Sequence, residues 1–478
     1  MLGLFGTLDL AARSLQTQMT GVEVAGQNLA NINTTGYSRQ RVEIETSPDI
    51  TSTIGPEGTG ANAVAIQQVV NSLLNSQIQS QQSVSGYWNA QQSALQSAQT
   101  GLDEFLNGTG SSDGTSGSNS SSDSTTSTGL SAQLSSLFSA FQSLAASPTS
   151  LTARQAVVNQ AQDLASVFNQ VNSQFNNLRD SLNTSLNSNV SSANQLLSDI
   201  ASLNQEISSA QFSGGTANDL LDAREQDLEN LAQLTNFTTS AGANGAVDVS
   251  IGGQTLVSGD QVEDTLQTYD AGGGQLLVQT ATGGVPLTLT GGSIQGTIDA
   301  RDGTLANLQT GINTLASTFI TQVNSIYSGG YSLTGSTGAN FFTGADAGDI
   351  GVNIALVNDP SLFQASGSAT ATGDNSVALQ LAQLASTTQA GLNNATFGDS
   401  YSTTVTDLGN ALQTANTQVT NQTSVVNMLN AQRESVSGVN VDEEMTTLMG
   451  FQRAYEASAQ LVTTINTMMG DTLAMKTT

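Results

Sequence analysis

The sequence of 478 residues has no histidine, no cysteine, one lysine (Lys476), 1 tryptophan and 5 prolines. The missing histidine removes the side chain that usually titrates near neutral pH and the usual zinc or haem ligand. With cysteine gone as well, a Ser-His-Asp triad, a Cys-His pair, a thiolate metal site and a structural disulfide are all excluded. Charged residues make up 10% of the chain, against roughly 25% in an ordinary soluble protein. Lys+Arg number 10 and Asp+Glu 38, a formal charge of -28, which argues against a surface that neutralises phosphates. Nucleic acid and anionic membranes are therefore not expected partners. No run approaches the roughly 20 apolar residues that cross a bilayer, so membrane insertion is not expected. The apolar start Met1-Leu2-Gly3-Leu4-Phe5-Gly6 lacks a basic n-region and leads to no small-residue cleavage site, so no cleaved signal peptide is expected. Absent cysteine suits a cytosolic protein and equally one exported unfolded.

What is present is a chain solvated by neutral polar groups, with hydrophobic residues at 37% and 47 glycines. Its apolar residues are periodic. Leu8, Leu15, Val22 and Leu29 fall seven apart, with Ala11, Gln18, Ala25 and Ile32 as a companion row. Near the other end Leu448, Tyr455, Val462 and Met469 repeat the spacing, accompanied by Phe451, Ser458, Ile465 and Thr472. Both are heptad seams and predict amphipathic terminal helices. Gly21 and Gly26 each cost the first helix about 1 kcal/mol relative to Ala, so the two seams are expected to pack on each other or on neighbouring subunits. Further stripes run through Leu74 to Phe105, Leu164 to Ile207 with a stutter around Leu186, Leu305 to Ile326, and Val405 to Leu429.

The pattern changes in the middle. Val247, Val249 and Ile251 alternate before Gly252-Gly253, and Leu276 to Val278 and Val285 to Leu289 supply further strands. The stretch 108–129 is almost wholly Ser, Gly, Thr, Asn and Asp and reads as a flexible loop. The expected fold is mainly α: a long helical bundle with coiled-coil-like N- and C-terminal helices packed together, plus an inserted small β-rich domain. Terminal helices 1–50 and 435–478 form an inner core, 51–215 and 299–434 the long-helix bundle, and 216–298 the β-rich insertion.

Two motifs flank this architecture. Asn28-Leu29-Ala30-Asn31-Ile32-Asn33-Thr34-Thr35-Gly36-Tyr37-Ser38-Arg39-Gln40 closes the first helix with residues that tolerate left-handed backbone and bond free carbonyls. Ser437-Gly438-Val439-Asn440-Val441-Asp442-Glu443-Glu444 opens the last, where Asn440 or Asp442 caps it and the glutamates favour its dipole. The first motif resembles the N-terminal signature of bacterial flagellar axial proteins, the family of rod, hook and hook-associated subunits. The second, with Phe451-Gln452-Arg453-Ala454-Tyr455-Glu456-Ala457-Ser458-Ala459, resembles that family's C-terminal signature. Asn218-Asp219-Leu220-Leu221-Asp222-Ala223-Arg224-Glu225 and 292–301 are similar to the members that join hook to filament.

The resemblance implies a structural, non-enzymatic subunit of the extracellular flagellum that polymerises on the hook tip and allows filament assembly. It implies hook protein below, a second junction protein above, copies of itself in a ring, and an export chaperone on the C-terminal helix. Candidate assembly residues, by resemblance, are Leu8, Leu15, Val22, Asn28, Leu29, Asn31, Gly36, Tyr37, Ser38, Arg39 and Gln40. Their C-terminal counterparts are Asn440, Glu443, Glu444, Leu448, Gln452, Tyr455, Val462, Ile465 and Met469. A hook, rod or filament subunit remains an alternative, and a secreted carboxylate-dependent hydrolase or adhesin a third, since a glycosidase needs only two carboxylates.

No catalytic, cofactor or metal residue is expected. Gly55-Pro56-Glu57-Gly58-Thr59-Gly60 is followed by no lysine, is not bracketed by strand and helix, and reads as a turn rather than a phosphate loop. Asp346 and Asp349 match no EF-hand and read as a solvated loop. Met445, Met449, Met468, Met469 and Met475 suit either core packing or an interface that repacks between neighbours.

Overall fold

A computed structural model describes residues 3–52, 55–106 and 129–476; most of the stretch 108–129 read as a flexible loop lies outside them. The order is α1 (Leu4–Ala30), β1 (Gln40–Thr46), β2 (Ile50–Ser52), β3 (Gly55–Glu57), β4 (Ala61–Gln68), α2 (Ser72–Leu106), α3 (Leu130–Ala146), α4 (Leu151–Phe212) and α5 (Asn218–Leu234). Six strands follow: β5 (Thr238–Ala241), β6 (Val247–Ile251), β7 (Gln254–Ser258), β8 (Gln261–Val262), β9 (Leu266–Asp270) and β10 (Leu276–Thr280). The rest comprises α6 (Gly292–Asp299), a wide π-type turn (Ala300–Leu305), α7 (Ala306–Tyr327), β11 (Phe342–Thr343), β12 (Gly351–Val352), α8 (Ile354–Asn358), α9 (Ser376–Gln383), α10 (Phe397–Ser437) and α11 (Val441–Lys476). The chain is mainly helical, with long packed helices and small antiparallel sheets.

The heptad spacing becomes an antiparallel pair. Ser14 Oγ lies 2.9 Å from Ser458 Oγ, Gly21 sits against the ring of Phe451, and Asn28 Nδ2 donates to Glu444 Oε2 at 3.1 Å. Each step is seven residues forward on α1 and seven backward on α11, two turns at a time. The α1 residues that become buried are Ala11, Thr17, Gly21, Val24, Ala25 and Asn28. Leu8, Leu15, Val22 and Leu29 are half-buried beside them. Gly21 thus has a packing role that helix propensity does not record: a Cβ there would meet the Phe451 ring at 2.6 Å.

Around α4, about 93 Å long for its 62 residues, the apolar stripe serves two cores. Val157 to Leu182 join α2, α3, α7 and α10 in the larger one, which includes Phe141, Phe319, Phe341 and Phe363. Leu186 to Ala201 join α5, α6 and β6, β7, β9 and β10 in the second. The stutter at Leu186 is therefore where the helix changes partners.

One departure from the sequence pattern lies between residues 40 and 68. β1 pairs with β4 from Gln40↔Gln68 to Thr46↔Ala61, with a register shift at Glu43/Ile44, and β2 pairs with β3. The sequence predicts no strand next to Gly55–Gly60, yet strand residues enter it and β4 follows. These strands leave little mark on the sequence because they are short, and β4 carries three alanines, too little apolar contrast to show a period of two.

Candidate assembly joint

The two signatures meet at one point, at the end of α1. Asn31 ends the helix, its Nδ2 donating to Gln27 O at 3.1 Å, and Gly36 at φ +83° turns the chain back, a conformation that favours glycine. The return places Gln40 beside Asn28. Asn28 is 1% exposed and uses both ends of its amide. Oδ1 accepts from Gln40 N and Tyr37 Oη, each at 2.9 Å. Nδ2 donates to Gln40 O at 2.8 Å and to Glu444. Glu444 is itself buried, at 6%. Tyr37 is pushed up to about 12, first by burial and then by the carboxylates of Asp219, Asp222 and Glu444, so its hydroxyl remains a donor.

The C-terminal signature supplies the other wall. Asn440 caps α11, accepting from the amides of Asp442 and Glu443 at 2.9 and 3.3 Å, so of the two candidate caps Asn440 serves. Arg39 pairs with Glu443 at 2.9 Å, and Arg39 N donates to Ser437 O at 2.8 Å. Glu443 is solvent-exposed, so this pair contributes about 1 kcal/mol at most. Adjacent glutamates thus differ: one closes a buried network, the other a surface pair.

The third wall is α5, whose docking role the sequence motifs do not assign. Asp222 Oδ2 accepts from Ser38 N at 2.9 Å and Asp219 Oδ1 from Gln40 Nε2 at 3.0 Å. Asn218 Nδ2 donates to Ile66 O at 3.0 Å, and Gln68 Nε2 donates back to Asn218 O at 2.6 Å. Further along the helix Glu225 accepts from Gln79 at 2.9 Å, and buried Glu229 pairs with Arg433. The spacing 219, 222, 225/226, 229 is one helical face, a signal the sequence does contain. A cleft of about 1210 Å³ opens between the Asn31–Arg39 turn, α5 and the α10–α11 corner. The apolar contribution to this joint is small: Leu74, Ile78 and Leu429 with Val425.

Burial raises Glu225 above its ordinary 4.5, reinforced by Glu229 and opposed by Gln79, Arg433 and Arg224; burial likewise raises Asp222. The folded state therefore holds these protons more tightly than the unfolded one. Stability contributed by Glu225 is highest below 4.5 and declines as pH rises through its folded value. Glu225→Gln is expected to melt higher than wild type at pH 7 to 8, the gap closing toward pH 4.5. Thermal melts across that range check it, and a variant less stable at neutral pH overturns it.

Other sequence candidates lie elsewhere. Leu448, Val462 and Met469 are half-buried, Ile465 is buried on the seam, and Gln452 and Tyr455 are exposed. Met445, Met449, Met468 and Met475 are exposed, which rules out core packing within this chain for those four. Asp349 accepts from the amides of Ala345 and Asp346 at 2.7 and 3.0 Å, an acid occupied by its own loop. Among the described residues no cluster of acids is placed to hold a metal, and no helix is long and apolar enough to cross a membrane.

Residues 120–342 match the flagellar hook-associated protein FlgK helical domain, and residues 430–475 the flagellar basal body rod FlgEFG protein C-terminal family. Flagellar hook-associated protein 1 of Bacillus subtilis is 26% identical over 511 aligned residues, covering 97% of this chain and 96% of that protein. Its counterpart in Salmonella typhimurium is 23% identical over 569, covering 96% and 98%. In fold, the chain is similar to the flagellar hook junction protein FlgK of Burkholderia pseudomallei, with a TM-score of 0.62 and 18% identity over 76% of this chain and 100% of that one.

Proposed function

We infer, from a chain that is a relative of flagellar hook-associated protein 1 along nearly its whole length, that it is a structural subunit of the bacterial flagellum at the hook–filament junction. The observation that carries the mechanism is the terminal pair. α1 and α11 satisfy one seam with each other and leave a second apolar face open, with Phe5, Met19, Met445, Met449, Met468 and Met475 exposed. An apolar face of that kind gains free energy on burial against a neighbour, and thioether side chains adapt to dissimilar ones. Assembly partners are hook protein below, a second junction protein above and further copies around a ring, with an export chaperone covering α11 beforehand. The terminal pair forms the inner tube, the long helices the next shell and the β-rich region the outer, extracellular surface.

A strain lacking the gene is expected to build complete hooks without filaments and to shed filament protein into the medium, as seen by electron microscopy and blotting. Absent hooks would instead assign the chain to the rod or hook.

A further inference from the structure

The two apolar cores do not merge. Along α4 the larger ends at Leu182 and the second begins at Leu186; across from it the second ends at Ile298 and the larger resumes at Ala300. A polar belt fills the gap. Arg301, its side chain 1% exposed, bonds Asp302 through Nε at 2.7 Å and Nη2 at 2.6 Å. It also donates to Asn183 Oδ1 at 2.7 Å and to Leu276 O at 2.8 Å. Asn183 Nδ2 reaches Gly274 O at 3.3 Å. On the opposite side Tyr87 Oη donates to Asp299 at 2.9 Å, with Gln91 and Gln295 completing the chain.

Three further features coincide at this level. The helix ladder from α6 into α7 is interrupted by the π-type turn Ala300–Leu305, a form that recurs as a single-turn irregularity at functional sites. Gly296 on α6 lies directly against the Tyr87 carbonyl of α2, closer than a Cβ would allow. Arg179 Nε, one turn before Asn183, is buried with no hydrogen-bond partner among the described residues. Interdigitated apolar layers resist sliding because every displacement opens voids. Hydrogen bonds from long polar side chains to carbonyl oxygens tolerate a broad range of acceptor geometry, so a small tilt need not break them. Bending therefore concentrates where apolar packing stops.

We propose that this belt is a built-in hinge, with the Gly296–Tyr87 contact as its pivot, that lets the β-bearing lobe tilt against the helical bundle. The proposal deepens the junction reading by giving the subunit a compliant plane between two stiff bodies; the geometry itself does not depend on that reading.

The absence of cysteine lets spin labels be placed one pair at a time in the full chain. Gln254→Cys on the β-bearing lobe and Thr310→Cys on α7 span the belt. Gln254→Cys with Ser198→Cys, and Thr310→Cys with Ser173→Cys, each stay within one lobe; all four positions are exposed. Pulsed dipolar spectroscopy is expected to give a broader distance distribution across the belt than within either lobe. Replacing the belt with apolar side chains, Asn183→Leu with Arg301→Met, is expected to narrow it. A cross-belt distribution no broader than the in-lobe ones overturns the hinge, whether or not the double variant folds. Breadth unchanged in a folded double variant overturns the assignment to the belt. Both readings are made on the isolated chain, so a hinge can fail while the junction role stands.

Discussion

Asn28→Asp is expected to abolish function while changing only one atom's identity. In the wild type the amide nitrogen faces two oxygens, Gln40 O at 2.8 Å and Glu444 Oε2 at 3.1 Å, in a site where Asn28 is 1% and Glu444 6% exposed. The substitution replaces that donor with a second carboxylate oxygen. It loses two hydrogen bonds and sets like charges together out of water, and an uncompensated buried charge costs about 3–5 kcal/mol. The Oδ1 contacts from Tyr37 and Gln40 remain available, so the loss falls on the link to Glu444 of α11 and on the single bond to the Gln40 carbonyl. Amide exchange over Leu4–Ala30 should accelerate while the bundle core around Phe141 and Phe319 stays protected, and cells should lose attached filaments. Adding Glu444→Gln to the same chain places a donor opposite the introduced carboxylate and should recover most of the protection. Wild-type exchange in the single variant would overturn the network's role.

Gly21→Val tests the middle of the same seam by bulk instead of charge. A Cβ at position 21 already falls 2.6 Å from the Phe451 ring, and valine adds two methyl groups that cannot turn away from a helix packed along its length. Overpacking costs about 1–3 kcal/mol, at the upper end where backbone must move. Because Ser14–Ser458 and Asn28–Glu444 share the helix axes with this contact, separating the helices at Gly21 loosens both. Loss of motility with a normally folded bundle is the expected outcome. Gly21→Val with Phe451→Ala should be more stable than the sum of the two single changes, a coupling on the order of 1 kcal/mol. Simple additivity would show that the contact does not hold the pair together.

The seven-residue spacing of both chain ends, the regular stripe of α10 and the hairpin turn at Gly252-Gly253 can be read directly, because each is a local periodicity. The same holds for the helix stop at Asn31 and the cap at Asn440. The strands from Gln40 to Gln68 are hidden by weak apolar contrast, and the π-type turn at Ala300 has no marker in a sequence that stays helical on either side. The candidate joint is half legible. Asn28, Tyr37 and Glu444 belong to readable motifs, but nothing near Asp219 or Asp222 says that their partners are the backbone amide of Ser38 and the side chain of Gln40, some 180 residues earlier.

By itself the sequence determined that chemistry resting on histidine or cysteine has no side chain to carry it, and that its two ends are helices with matching seams. Tertiary structure decided that those seams run antiparallel, that Glu444 is buried while Glu443 meets water, which acids of α5 hold the signature turn, and where one apolar stripe divides into two cores. The reason is physical. Periodicity is set by neighbours three or four positions away, whereas burial depends on which distant surface arrives, and a side chain's environment fixes its role only once that surface is in place.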